Sequence, residues 1–186
     1  MRSAHRILKT DGSAYVFSGW NNLRHVLNAA DEIGFRTINH IIWKYQFGVV
    51  TRRRYVSSHY HCLYLCKDDS KRRFYPFSRY APGQRSASGG SAHYLDKEDV
   101  WTIQREYWPG VLKTPTKLPR SLIEKILAYS SIPGDLIFDP FMGSGQVAVV
   151  SKLNERRFFG FEIVPAYHEF ILKRLAAGQY KCNTAA

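Results

Sequence analysis

The stretch Leu136-Ile137-Phe138-Asp139-Pro140-Phe141-Met142-Gly143-Ser144-Gly145-Gln146 decides how the rest of the chain is read. Residues 136–138 form an apolar run long enough for a buried strand. The glycines make a turn, and residues 146–153 read as a helix. A second apolar run, residues 158–163, carries Glu162 at its end. Strand, glycine turn, helix, and strand with a terminal acid is the order in which a βαβ unit holds a nucleoside cofactor. Glycines let the backbone approach the ligand, and the acid accepts hydrogen bonds from ribose hydroxyls. A lone Gly-x-Gly also serves as a plain structural bend. The acid after the second strand separates the two readings.

Working outward, residues 8–13 read as a turn before a strand at residues 14–17. Residues 21–33 have helical apolar spacing at Leu23, Val26, Leu27 and Ala30 and stop at Gly34. Residues 35–43 and 59–66 read as strands paired in a hairpin across an Arg-rich connection. Residues 120–130 read as a helix with its stripe at Leu122, Ile123, Ile126 and Leu127. The last helix spans residues 167–177, opened by Pro165 and closed by Gly178. Strands alternating with helices predict an α/β layered sheet. Residues 68–108 show little periodicity and are rich in Ser, Gly and Arg, either a flexible loop or a small inserted recognition region.

These residues carry a family resemblance. Asp139-Pro140-Phe141-x-Gly143-x-Gly145 resembles the S-adenosylmethionine motif of amino-group DNA methyltransferases, which modify the exocyclic amine of adenine or cytosine. Upstream, Thr114-Pro115-Thr116-Lys117-Leu118-Pro119, then Leu122-Ile123 and Pro133-Gly134-Asp135, is similar to the family's block "His-Pro-Thr-Gln-Lys-Pro … Leu … Pro-Gly-Asp". Thr114 stands for the usual His and Leu118 for the usual Lys. The resemblance implies a Rossmann-like methyltransferase sheet with helices on both faces. It implies S-adenosylmethionine lined by Asp139, Phe141, Gly143 and Gly145, with Glu162 on the ribose and Thr116 near the methionine end. Residues 6–67 also resemble the family's later sheet strands, so residues 1–186 read as a single, partial methyltransferase domain, with 68–108 as its inserted target-recognition region.

The resemblance also implies what these residues lack. The family's catalytic motif, Asp/Ser/Asn-Pro-Pro-Tyr/Phe, follows the sheet's central strand, where it receives the target amine and stacks on the extruded base. This chain has eight prolines and no two are adjacent. Asp139-Pro140-Phe141 follows a different strand and serves the cofactor. No catalytic residue is therefore assigned, and the central strand is expected to be missing, as in a truncated product, one half of a split enzyme completed by a second polypeptide, or a degenerate binding protein. A missing central strand leaves two neighbouring strands unpaired unless they close the gap and pair directly. By family the chain is a site-specific DNA methyltransferase, expected to be inactive alone. The alternatives are a non-catalytic nucleic-acid-binding or partner subunit that keeps the cofactor fold, and a methyltransferase acting on RNA or a small molecule.

Charge is the second signal. The net charge is +12, and residues 44–85 supply +8 of it, with ten Lys or Arg against Asp68 and Asp69. Aromatics interleave with these cations, among them Tyr45, Tyr55, Tyr60, Tyr64 and Phe74. Cations neutralise phosphates and aromatic faces stack on unpaired bases. Arg52, Arg53, Arg54, Lys71, Arg72 and Arg73 are the expected phosphate contacts, with DNA as the partner. For any single tyrosine, packing in the core is the better reading.

Other features are read structurally. The apolar content of 45% is that of an ordinary globular chain. Cys62, Cys66 and Cys182 are too few and scattered for a disulfide scaffold, and residues 1–5 lack an apolar signal core, so a soluble cytoplasmic protein is expected with no membrane partner. His59 and His61 fall on one strand face and Cys62 and Cys66 on the other, which opposes a single zinc site, and no metal is assigned. Asp135 is read as the polar partner of the Pro133-Gly134 turn, Cys182 as an idle thiol, and Trp20, Trp43, Trp101 and Trp108 as packing residues.

Overall fold

Four strands build the first sheet: β1 (Ser13–Ser18), β2 (Arg36–Lys44), β3 (His59–Cys66) and β4 (Val100–Thr102), in the order β1-β3-β2-β4. The computed structural model describes residues 1–46, 50–106 and 117–178. β3 runs antiparallel to both β1 and β2, which is the hairpin expected across the Arg-rich connection. β4 joins the other edge of β2 in parallel. This sheet lies in the first of two units, Met1–Ile103 and Gln104–Ala186.

The sheet's two faces have different chemistry because side chains alternate along a strand. Leu63 and Leu65, both fully buried, point to one face. There α2 (Trp20–Ile33) lays Leu23, Val26, Leu27, Ala30 and Ile33 over them, one stripe at helical spacing. Gly34 ends that helix at φ 91°, a left-handed conformation that lets its N–H reach the carbonyls of Ala30 and Asp31. The other face is aromatic. Tyr15 stacks on Tyr64 with ring centroids 4.6 Å apart, and Trp43 stacks on Tyr60 at 5.7 Å. Trp43 is buried and donates its indole N–H to the Ile103 carbonyl at 2.8 Å; Trp101 is buried as well. Trp20 departs from the packing expectation. It sits at the first position of α2 and is 71% exposed, since the apolar stripe begins only at Leu23. Trp108 and Cys182 lie outside the described residues.

Three elements of this unit carry no signal in the sequence. α1 (Arg2–Ile7) is short and has no buried residue to give a periodic stripe. Within residues 68–106, α3 (Ala92–Asp96) and β4 are likewise too short for periodicity to register. The segment is held down by Arg72, whose guanidinium lies 5.1 Å from the Tyr64 ring centroid and donates to the Tyr64 hydroxyl at 2.7 Å.

Three imidazoles meet on the leucine face. The His40 and His61 rings are joined by a 2.7 Å hydrogen bond between Nε2 and Nδ1, and His59 meets His61 edge-on at 5.0 Å. Ser18 is the β1 residue opposite His61. Among the described residues, no three His, Cys, Asp or Glu side chains gather into a metal-holding group. Burial, then the neighbouring His40 and His59, hold the His61 imidazole below its ordinary pKa. A histidine depressed in the folded state takes its proton more readily when unfolded, so its stabilisation is complete above the unfolded value and is lost as pH falls through the folded value. Denaturant midpoints are therefore expected to fall between pH 7 and pH 5, by no more than about 1.4 kcal/mol per pH unit from this one group. His61→Leu should flatten that acid limb. An equally steep limb in the variant would place the titration elsewhere.

The second unit is built around two parallel strands, β5 (Leu136–Asp139) and β6 (Arg157–Gly160), joined by α5 (Gln146–Leu153). α4 (Arg120–Ser130) precedes them. Ile123 and Leu127 of α4 pack on Val150 of α5, with Leu118, Ile137 and Val147 around them. α6 (Pro165–Ala177) begins with Pro165 in its first turn and stops at Gly178 in a left-handed conformation. The βαβ unit expected from the glycine stretch is thus present, its strands adjacent and parallel.

One detail differs from expectation. β6 ends at Gly160 rather than running to residue 163, so Glu162 lies two residues beyond the strand. Its partner β5 ends at Asp139, the residue paired with Gly160, and a Cβ on Gly160 would stand 2.2 Å from the Asp139 carbonyl oxygen. Among the described residues, β1 and β5 belong to different sheets.

Candidate functional site

The site is assembled where the chain leaves β5 and β6. After Asp139 the backbone turns through Pro140 and Phe141, and Asp139 Oδ1 accepts the Phe141 N–H at 3.0 Å. Past β6, Phe161 N–H reaches the Asp139 carbonyl at 3.1 Å and its own carbonyl accepts from Met142 N–H at 2.9 Å. These bonds lace the two loops together and bring Glu162 to the glycine turn. Glu162 Oε2 accepts the Gly143 N–H at 2.6 Å, and Oε1 accepts the Val164 N–H at 2.8 Å. The carboxylate is thereby fixed between loops that are 19 residues apart in sequence.

Each glycine has its own reason. Gly143 has φ 52° and Gly145 φ 71°, left-handed conformations that favour glycine. Gly145 is also confined by packing, since a Cβ there would meet Cγ1 of Ile171 in α6 at 2.7 Å. Gly145 then caps the start of α5, leaving the first N–H groups of that helix pointed at the turn.

The electrostatics follow from this crowding. Burial raises the Asp139 carboxyl above the usual carboxylate range, the Phe141 N–H works against that, and the nearby Glu162 charge adds to it. Phe141 is 87% exposed and Ile163 93% exposed, so apolar side chains flank the acid along both loops. An acid with both oxygens oriented by backbone donors still has lone pairs for vicinal hydroxyls. With open apolar surface beside it, this set suits the sugar and base of a nucleoside. The residues present fit the adenosyl part of S-adenosylmethionine. Thr116, expected near its methionine end, lies outside the described residues.

The cations expected at nucleic acid fall into two groups. Arg52, Arg53 and Arg54 stand exposed in the connection after β2, beside Tyr55, which is wholly exposed. Lys71, Arg72 and Arg73 are engaged with Asp68, Asp69 and Asp11 at 3.3, 3.0 and 3.0 Å. Asp135 closes the turn before β5 as read from the sequence, its Oδ2 accepting the Ile132 N–H at 2.9 Å. A half-buried carboxylate with no motif around it, Glu106, carries no assignment from the sequence; it meets Lys117, Arg120 and Gln146, all later in the chain. Among the described residues, no helix is long and apolar enough to cross a membrane.

Comparison with known proteins shows the family and the fold. A family profile described as DNA methylase matches residues 1–174. The type II methyltransferase M2.DpnII of Streptococcus pneumoniae is 32% identical over 183 residues, covering 95% of this chain and 65% of the relative. The DNA adenine methyltransferase YhdJ of Escherichia coli (strain K12) is 27% identical over 199 residues, covering 98% of this chain and 67% of the relative. In fold, the chain is similar to the crystal structure of the M1.HpyAVI–SAM complex, with a TM-score of 0.74 and 24% identity over 94% of this chain and 79% of that one. The chain spans about two thirds, 65%, of the length of two curated type II relatives.

Proposed function

This chain belongs to the DNA methylase family, and from that premise we propose that it forms the cofactor- and DNA-binding part of an S-adenosylmethionine-dependent enzyme that methylates the exocyclic amine of adenine, or of cytosine, in a specific DNA sequence. The observation that carries this reading is the Glu162 carboxylate, held by the Gly143 and Val164 N–H groups beside the glycine turn. S-adenosylmethionine supplies the methyl group as a sulfonium. Glu162 binds the ribose hydroxyls, Phe141 and Ile163 offer apolar surface to the adenine, and Gly143 and Gly145 let the backbone come close. By the family resemblance, Thr116 serves the methionine end. A motif with adjacent prolines, absent from these 186 residues, receives the target amine from a segment outside them, on the same or a second polypeptide. Residues 68–108 form the target-recognition region within one methyltransferase domain.

Calorimetric titration tests the cofactor half: saturable binding of S-adenosylmethionine and none of NAD is expected, and the reverse preference would sink it. DNA is held through phosphate neutralisation by Arg52, Arg53 and Arg54, with Lys71, Arg72 and Arg73 adding to the same field. Replacing Arg52, Arg53 and Arg54 together by Gln should flatten the log–log dependence of duplex affinity on salt by about 2–3 units. An unchanged slope would return this loop to a solvated basic surface.

A further inference from the structure

Three helix ends of the second unit converge on one buried polar cluster. Glu106 Oε1 accepts the N–H of Arg120, the first residue of α4, at 2.8 Å, where Pro119 offers no capping side chain. Glu106 Oε2 takes Lys117 Nζ at 3.0 Å and Gln146 Nε2 at 3.2 Å. Gln146 opens α5, and its Oε1 accepts from Arg174 Nη2 of α6 at 2.8 Å. Arg174 also donates through Nη1 to the Ser144 carbonyl, inside the glycine turn. The side chains of Lys117 and Glu106 are only 4% and 11% exposed, and Gln146 and Arg174 are buried.

Burying such charges gains little stability over well-packed apolar residues of the same volume. What the cluster does provide is orientation. The Ser144 carbonyl belongs to the peptide that ends in the Gly145 N–H, which donates to the Met142 carbonyl at 2.7 Å, so fixing that oxygen fixes the plane of the peptide and the shape of the turn. Ile171, one turn before Arg174 on α6, packs where a Gly145 side chain would be. We propose that Arg174 and Gln146, backed by Glu106 and Lys117, are positioning residues that hold the glycine turn in its cofactor-binding shape, so that affinity for S-adenosylmethionine is set partly from α6. This rests on the cofactor reading above.

Two measurements on the intact chain separate the claims. The first is amide exchange in the ligand-free protein. Arg174→Met should speed exchange at Gly143 and Gly145 by about tenfold while leaving β1 and β3 unchanged, because the loss is local. The second is calorimetric titration with S-adenosylmethionine. Arg174→Met should weaken binding by about tenfold or more, as for loss of a charged hydrogen bond, and Arg174→Lys, which keeps one donor to the turn, should recover most of it. Equal thermal midpoints with that pattern support positioning, since a merely structural role gives no rescue beyond recovered stability. Unchanged exchange at the turn, or equal affinity in all forms, overturns the proposal. If the parent chain shows no binding, the cofactor reading falls, while the exchange result still decides whether Arg174 sets the turn. Should Arg174→Met fail to fold, Gln146→Met removes the same link and is judged by the same two outcomes.

Discussion

Incubated with mixed-sequence duplex DNA and tritiated S-adenosylmethionine, the 186-residue chain alone is expected to transfer no methyl group above background. Methyl transfer to an amine needs acceptors fixed close to the attacking nitrogen and a base held in line with the sulfonium. Those positional and electrostatic terms together are worth well over a roughly thousandfold rate factor. The family resemblance assigns them to a motif of adjacent prolines, and none of the eight prolines here has a proline neighbour. A segment carrying a strand and that motif, fused in front of Met1 or supplied as a second polypeptide, should restore activity. Robust turnover by the purified chain would refute both the assignment of the motif and the reading of Asp139-Pro140-Phe141 as a cofactor element.

The next largest effect is expected at Glu162. Its carboxylate accepts from Gly143 and Val164 N–H groups, and in the proposed function it also binds the ribose. Glu162→Ala removes the charged acceptor and leaves two backbone donors without it. A hydrogen bond to a charged group is worth about 1.5–3 kcal/mol, so affinity for S-adenosylmethionine should drop by roughly ten- to a hundredfold. Glu162→Gln should also weaken binding, because its amide nitrogen must face one of the two N–H donors. Calorimetry on a chain that binds the cofactor reads both values. An unchanged affinity in Glu162→Ala would remove Glu162 from the ribose.

How much of this was legible beforehand depended on whether a signal was local. The helix at residues 120–130 and the one at residues 146–153 matched the structure to the residue, because apolar spacing and the flanking Pro and Gly act over a few positions. α2 and its Gly34 stop were equally plain. α1, α3 and β4 were hidden, being too short to show a period. The extent of β6 is set non-locally, since pairing stops where its partner β5 ends at Asp139. Trp20 looked like a packing residue by composition, yet its place at the first turn of α2 leaves it exposed.

By itself the sequence determined the α/β class, the βαβ unit around Asp139 to Glu162 and the concentration of positive charge in residues 44–85, since each follows from residue type and short-range spacing. Only the tertiary structure decided that Glu162 grips the glycine turn through Gly143, and that Arg52, Arg53 and Arg54 stand exposed while Lys71, Arg72 and Arg73 are drawn to carboxylates. It alone brought Glu106, Lys117, Gln146 and Arg174 together across 68 positions of chain, Glu106 to Arg174. Such partners are chosen by which loops the packed helices bring within hydrogen-bond reach, and no local pattern in the chain encodes that distance.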